Sequence, residues 1–151
     1  MTPTPETEPV ALKKVAELVR SLNCIMHYAT PAQHDLAVAW ISHLPIMVSA
    51  SLISACLHEA DPTILDFAKK FASTGFQDTS RVGGGNPEMG MMMAEYNQEA
   101  ILRSLYQYRD RLDGVIGSIE SKQWLEIKDL LATNQCVRSD FVNCPTMERD
   151  G

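Results

Sequence analysis

Apolar residues recur at intervals of three and four along most of this chain, which predicts a mainly helical protein. The first such pattern runs from Val10 to Leu22. The short apolar run Cys24–Ala29, closed by Thr30 and Pro31, instead predicts a β-strand. Because one strand cannot make a sheet, this helix–strand pair is typical of the end of an α/β domain whose other strands lie outside the chain.

The longest apolar pattern extends from Ala32 to about His58 and contains one proline. Pro45 has no N–H to donate to the carbonyl group of Ile41, and its ring clashes with that carbonyl. The pattern therefore predicts a long helix that is kinked around Ser42–Leu44.

The stretch Leu36–Leu57 has no charged residue and is long enough to span a bilayer. It also contains His43, Pro45 and four serines, and acidic residues flank it instead of basic or aromatic anchors. These features favour the core helix of a soluble bundle over a membrane anchor. A helix that needs apolar cover on nearly all sides favours a homodimer that wraps it.

Three further helices are predicted downstream. Asp61 and Pro62 are a cap and first-turn signal for a short helix through Ala72, followed by a polar loop from Ser73 to Asn86. The same signal at Asn86 and Pro87 starts one long helix with an apolar stripe to Ile119. A last helix is predicted for Lys122–Thr133, with a loose tail from Arg138.

Composition and charge narrow the class of protein. The chain has 151 residues and is 45% hydrophobic, enough to bury a core, and its 13 basic and 19 acidic residues give a net charge of −6. That sign argues against a broad nucleic-acid-binding surface. The start lacks a secretory signal, and the four cysteines form no CxxC pair, so we expect a cytoplasmic protein with free thiols.

Several motifs carry little chemistry. Gly83–Gly85 does not fit a GxGxxG nucleotide loop, because Glu88 occupies the sixth position and no strand precedes it; we interpret it as a flexible joint. The methionine cluster Met89–Met93 favours packing. The four histidines lack the i,i+4 spacing of paired ligands, so no metal site is predicted.

Two polar clusters are candidate sites. His34 and Asp35 begin the long helix, and Ser42 and His43 lie at its kink; nine residues put His34 and His43 on opposite sides of an ideal helix. Taken alone, His43 is also compatible with a hydrogen-bonded interior residue. In the loop, Arg81 can hold a carboxylate through two parallel N–H bonds, or it can pair with Asp78 at the surface.

Three segments resemble a known family when taken in order: HDLAVAWISHLP (34–45), GFQDTSR (75–81) and NPE (86–88). They are similar to the C-terminal helical domain of the prephenate/arogenate dehydrogenases, and most of all to the cyanobacterial-type arogenate dehydrogenases. The resemblance spans about residues 10–135. It implies a helical substrate-binding and dimerisation domain built on a long proline-kinked helix, and an intertwined homodimer.

The resemblance also implies a division of the chain. Residues 1–9 would be a flexible leader, 10–30 the last helix and strand of an incomplete Rossmann domain, 31–135 the helical domain and 136–151 a tail. NADP or NAD would bind to the nucleotide domain of the family. That domain carries the proton-accepting histidine and the glycine fingerprint, and neither has a counterpart in this chain. This chain would therefore be inactive alone, bind no cofactor tightly and depend on a complete nucleotide-binding domain, whether joined to it or separate.

For the substrate, the resemblance implies that Arg81 clamps a carboxylate and that Ser42 and His43 line the cleft. His34, Asp78, Pro45 and Ile46 would have supporting or structural roles, with no catalytic, cofactor or metal residue in this chain. Ile46 stands where some prephenate-using members carry histidine, which favours arogenate, oxidatively decarboxylated to tyrosine, over prephenate. The alternative is a non-catalytic dimerisation module derived from the same family.

Overall fold

The computed structural model describes residues 1–142, and within that range it contains helices and connecting segments but no strand. The helices are α1 Pro9–Ser21, α2 Pro31–Val38, α3 Leu44–Leu57, α4 Pro62–Phe71, α5 Thr74–Ser80, α6 Pro87–Tyr96, α7 Gln98–Glu120 and α8 Trp124–Val142, with a π-turn at Ala39–His43. The mainly helical class predicted from the sequence is confirmed.

The chain divides into two compact units. The first consists of Met1–Pro5 and Tyr28–Leu105, and the second consists of Glu6–His27 and the residues from Tyr106 onward. Helix α7 begins in the first unit and ends in the second. Both cavities described below belong to the first unit, so they are considered within that unit alone.

The predicted strand Cys24–Ala29 is wrong, because these residues have no regular secondary structure. A strand exists only when its backbone pairs along a neighbour. Here Ala29 N–H donates to the carbonyl of Met1 at 3.1 Å, but no strand pairing is assigned to Cys24–Ala29. The assignment of residues 10–30 to a Rossmann domain therefore stays a prediction without a strand to support it.

The long apolar pattern forms one helical run, Pro31–Leu57, interrupted by the π-turn. It begins with a capping box, in which Gln33 N–H donates to Thr30 Oγ1 at 3.2 Å and Thr30 N–H donates to Gln33 Oε1 at 2.9 Å. The sequence predicts a kink around Ser42–Leu44, and the structure has the π-turn Ala39–His43 at this place. Pro45 explains its position, since the missing N–H breaks the regular ladder of hydrogen bonds in the adjoining turn.

The predicted loop from Ser73 to Asn86 is partly helical, because α5 occupies its first half. Its glycines are not simply a flexible joint either. Gly83 N–H donates to Ser49 Oγ at 2.8 Å, and a Cβ atom at Gly83 would overlap the backbone of Ser49 and Ala50. Glycine is required there for the chain to lie directly on α3.

The single helix predicted from Asn86 to Ile119 is two helices, because the chain breaks at Asn97. Asn97 has φ −129° and ψ 36°, outside the helical region. Asparagine tolerates such a break because its side chain can replace lost backbone hydrogen bonds.

The last helix is longer than predicted, since α8 continues past Thr133 to Val142. The beginning of the predicted tail, 136–142, is therefore helical. The remainder of the tail, 143–151 with Cys144, lies outside the described residues. The cysteines within the described part, Cys24, Cys56 and Cys136, are free thiols, as predicted.

Candidate functional site

An open cleft of about 590 Å³ lies between the α2–π-turn segment and α6. Its lining residues are His34, Asp35, Val38, Ser42, His43, Asn86, Glu88, Met89, Met92, Met93, Tyr96 and Asn97. Polar side chains therefore line the side formed by the α2–π-turn segment, while the side formed by α6 carries methionine and tyrosine side chains together with Glu88.

The cleft brings His34 and His43 to one surface, although an ideal helix would separate them. The π-turn accounts for the difference, because its wider i→i+5 hydrogen bonds turn the chain by a smaller angle per residue than an α-helix. The expectation that the two histidines lie on opposite sides is therefore wrong. Ser42, next to His43, lines the same cleft.

Asn97 ties the break between α6 and α7 to the π-turn. Its amide nitrogen Nδ2 donates to the backbone carbonyl of Asp35 at 2.8 Å and lies 3.2 Å from Nδ1 of His43. Asn97 is not among the predicted site residues, because an asparagine inside an apolar helical stripe carries no motif. The available signal was its low helix propensity in the middle of a long predicted helix.

The α6 wall is positioned by a second asparagine. Asn86 Oδ1 accepts hydrogen bonds from the N–H groups of Glu88 at 2.9 Å and Met89 at 3.1 Å, which caps the helix. The methionines predicted as packing residues divide: Met89, Met92 and Met93 line the open cleft, whereas Met91 does not, and Met89, Met91 and Met92 are all exposed. Their flexible thioether chains can adapt to an apolar ligand body.

The other predicted site residues lie outside this lining. Arg81 is an exposed residue that directly follows α5. Within residues 1–142 no ion pair joins Arg81 to Asp78, so the alternative of a surface ion pair between them is not present in this structure. Pro45 is exposed, and half-buried Ile46 faces Gly90 of α6. Their roles in substrate binding stay predictions.

This arrangement suits a small ligand that has an apolar body and several oxygen atoms. Ser42, His43 and Asn97 supply hydrogen-bonding groups, and the methionine side chains of α6 supply apolar contact. No group of three metal-ligating side chains occurs among the described residues. The sequence likewise contains no glycine fingerprint with which to hold a dinucleotide.

A second cavity, of about 580 Å³, lies between the C-terminal part of α3 and helices α4 and α5. We call it the apolar groove. Its lining residues are Ile53, Cys56, Leu57, Leu65, Ala68, Lys69, Phe71, Ala72, Ser73, Gly75 and Phe76.

These features define the class of protein: a helical domain with a long, sparsely covered apolar helix and a polar-edged cleft beside it. The chain belongs to the family described as "Prephenate dehydrogenase, dimerization domain", which it matches over residues 30–133.

Individual relatives agree with this assignment. The chain is 26% identical to prephenate dehydrogenase of Bacillus subtilis (strain 168) over 122 residues, which are 81% of this chain and 32% of that protein. It superposes on Synechocystis arogenate dehydrogenase with a TM-score of 0.87 and 52% identity, covering 93% of this chain and 51% of that one. Prephenate dehydrogenase from A. aeolicus, solved with hydroxyphenyl propionate and NAD+, shares the fold (TM-score 0.83, 24% identity, 93% and 48% coverage).

The chain thus spans about a third of the Bacillus protein and about half of each solved chain. Family membership accounts for the helical domain, and the description of the family names it a dimerization domain.

Proposed function

We propose that this chain is the substrate-binding and dimerisation part of an NADP-dependent arogenate dehydrogenase. The observation that carries the proposal is the cleft, where Ser42, His43 and His34 line one surface opposite the methionine side chains of α6. The 52% identity to Synechocystis arogenate dehydrogenase supports arogenate as the substrate. Ile46 supports it further, because an apolar residue there would offer no cation to a side-chain keto acid.

In this proposal the chain binds and orients the ring that is oxidised. Ser42 and His43 would donate or accept hydrogen bonds with substrate oxygens, and the methionine wall would cover the ring face. Arg81 would hold a carboxylate through paired charged hydrogen bonds. Oriented binding of this kind lowers the barrier to decarboxylation, and the product's aromaticity supplies the driving force.

The sequence contains no glycine fingerprint for a dinucleotide, so we assign no residue of this chain to hold it. Oxidation would depend on a nucleotide-binding domain of the Rossmann type, which supplies the hydride acceptor and the proton-accepting histidine. We expect this chain alone to bind NADP weakly or not at all.

The protein is also proposed to be a cytoplasmic homodimer. Helix Pro31–Leu57 is long and apolar enough to cross a membrane, yet only 17% of its most apolar window is buried within the chain. Ile41 is 67% exposed and Leu57 is 57% exposed. A second copy in a dimer would cover these side chains, which agrees with the name of the family.

A chimeric enzyme tests the catalytic part of the proposal. Residues 30–133 replace the matching segment of Synechocystis arogenate dehydrogenase, and oxidation of arogenate and prephenate is followed by NADPH formation. We expect arogenate to be the better substrate. A soluble, dimeric chimera without activity would contradict the proposal and would favour the alternative, a non-catalytic dimerisation module.

Arg81→Ala tests the carboxylate clamp in the same chimera. Loss of a charged hydrogen-bond pair is expected to lower kcat/KM by about 100-fold. Arg103→Ala, which removes another exposed arginine from the first unit, is the matched control and should leave kcat/KM unchanged. Equal kinetics for the two variants would show that Arg81 does not bind the substrate.

Light scattering of the unaltered chain tests the proposed dimer, and a monodisperse monomer would contradict it.

A further inference from the structure

We infer that Asn97 is a positioning residue that fixes the neutral ring of His43 in its Nε2–H tautomer, so that His43 offers the cleft a hydrogen-bond donor. This inference rests on the proposed function only in naming the ligand, a substrate oxygen. The tautomer itself follows from the hydrogen bonds around Asn97.

The orientation of the Asn97 amide is determined by Asp35. The backbone carbonyl of Asp35 can only accept a hydrogen bond, and it lies 2.8 Å from the side chain of Asn97. The nitrogen Nδ2, and not the oxygen Oδ1, must therefore face Asp35. Turning the amide over would bring two oxygen acceptors together and leave a half-buried group without its bond.

The same nitrogen then determines the state of His43. Nδ2 carries two hydrogens, and the second is available to Nδ1 of His43 at 3.2 Å. Because Nδ2 has no lone pair to offer, Nδ1 has to be the acceptor. In a neutral imidazole the other nitrogen, Nε2, then carries the hydrogen.

Two other histidines show the opposite arrangement. Nδ1 of His58 lies 2.7 Å from the carbonyl of Ser54, and Nδ1 of His34 lies 3.1 Å from Oδ1 of Asp35. Since both partners are oxygen acceptors, Nδ1 is the donor in these two rings. Among His34, His43 and His58, His43 is therefore the ring whose Nδ1 accepts.

The donor of His43 remains open to a ligand. Among the described residues no hydrogen bond is made by its Nε2, and the ring lines the cleft. A neutral Nε2–H group can donate to a carboxylate or hydroxyl oxygen, but it cannot accept a proton from a substrate hydroxyl. In the proposed function this makes His43 a group that orients the substrate, leaving the base to the nucleotide domain.

The test is long-range ¹H–¹⁵N NMR of the four histidine rings in the full chain without substrate, at about pH 9, where unperturbed imidazole is neutral. His43→Gln assigns the His43 signals by removing them. We expect Nε2–H for His43 and Nδ1–H for His58, with a coupling across the hydrogen bond from Asn97 Nδ2 to His43 Nδ1. An Nδ1–H pattern for His43 would overturn the inference.

The Asn97→Asp variant should reverse the tautomer of His43. Its carboxylate can only accept a hydrogen bond, so the ring hydrogen of His43 should move to Nδ1. Asn134→Asp adds the same charge on exposed α8 and should leave His43 unchanged. Retention of Nε2–H in a folded Asn97→Asp variant would show that Asn97 does not set the tautomer. Should that variant fail to fold, the wild-type tautomer and coupling still decide. If His43 has the expected tautomer but the chimeric enzyme is inactive, the proposed function is contradicted and the inference about Asn97 is not.

Discussion

The cleft and the apolar groove have nearly the same volume, about 590 and 580 Å³, but very different chemistry. Seven of the twelve residues that line the cleft are histidine, serine, asparagine or acidic residues, whereas Lys69 and Ser73 are the charged and hydroxyl-bearing ones in the groove. Size therefore does not distinguish the two cavities. Their polar groups do, and binding specificity generally comes from a few polar atoms held in place.

Local backbone structure explains the difference. The cleft adjoins the π-turn Ala39–His43 and the helix break at Asn97, two places where the regular helical hydrogen bonding changes. The groove adjoins the regular part of α3 and the capped helix α4, where Phe67 and Phe71 stack at a centroid distance of 5.5 Å. Irregular backbone positions polar side chains, and regular helices present apolar faces.

Gly83→Ala should produce the largest loss of stability, because Gly83 holds the chain against the middle of α3, between the two cavities. A Cβ atom would overlap the backbone of Ser49 and Ala50. We expect the free energy of unfolding to fall by about 3 kcal/mol, measured by urea denaturation followed by circular dichroism.

Gly75→Ala is the matched control, since a Cβ atom there meets nothing within 4 Å. Its stability should equal that of the wild type or exceed it by a few tenths of a kcal/mol. Equal stabilities for the Gly83→Ala and Gly75→Ala variants would show that the close approach to α3 is not required.

His43→Ala and Cys56→Ala compare the two cavities directly in the chimeric enzyme. Loss of the His43 donor should lower kcat/KM by about 30-fold, equivalent to about 2 kcal/mol. Cys56 lines the groove, so its replacement should change kcat/KM by no more than about twofold. A larger effect at Cys56 than at His43 would reverse the assignment of the substrate site.

Much of the structural difference between the cleft and the apolar groove could be predicted from the sequence. The remainder depends on tertiary contacts. Pro45 predicted the irregular turn, and Asp61 and Asn86 predicted two helix starts, because their effects are local. Asn97 could not be predicted as a site residue, since its partners Asp35 and His43 are 62 and 54 residues away in sequence. The close contact of Gly83 with Ser49 could not be predicted either, because the two residues are 34 positions apart in sequence.

The caps of α4 and α6 can be removed by substitutions that we expect to lower the stability of the protein equally. Asp61 Oδ1 accepts from the N–H groups of Thr63 at 2.8 Å and Ile64 at 3.4 Å beside the groove, and Asn86 caps α6 beside the cleft. Asp61→Ala and Asn86→Ala should each cost about 1 kcal/mol in thermal unfolding. Only Asn86→Ala should also lower kcat/KM of the chimera; an equal kinetic loss in both would indicate a general effect of stability.

Asp66→Asn should have the smallest effect. Asp66 Oδ2 lies 2.6 Å from Nζ of Lys70 on α4, but the two side chains are 56% and 62% exposed. Water and salt screen such a pair, so we expect a loss of no more than about 0.5 kcal/mol that disappears at about 1 M salt. Asp129→Asn serves as the control, because it removes the same charge from an exposed position of α8 where no ion pair is found among residues 1–142. A loss above about 1 kcal/mol in Asp66→Asn alone would mean that solvent does not screen this pair, and hence that something covers the face of α4 that carries Asp66 and Lys70 in solution.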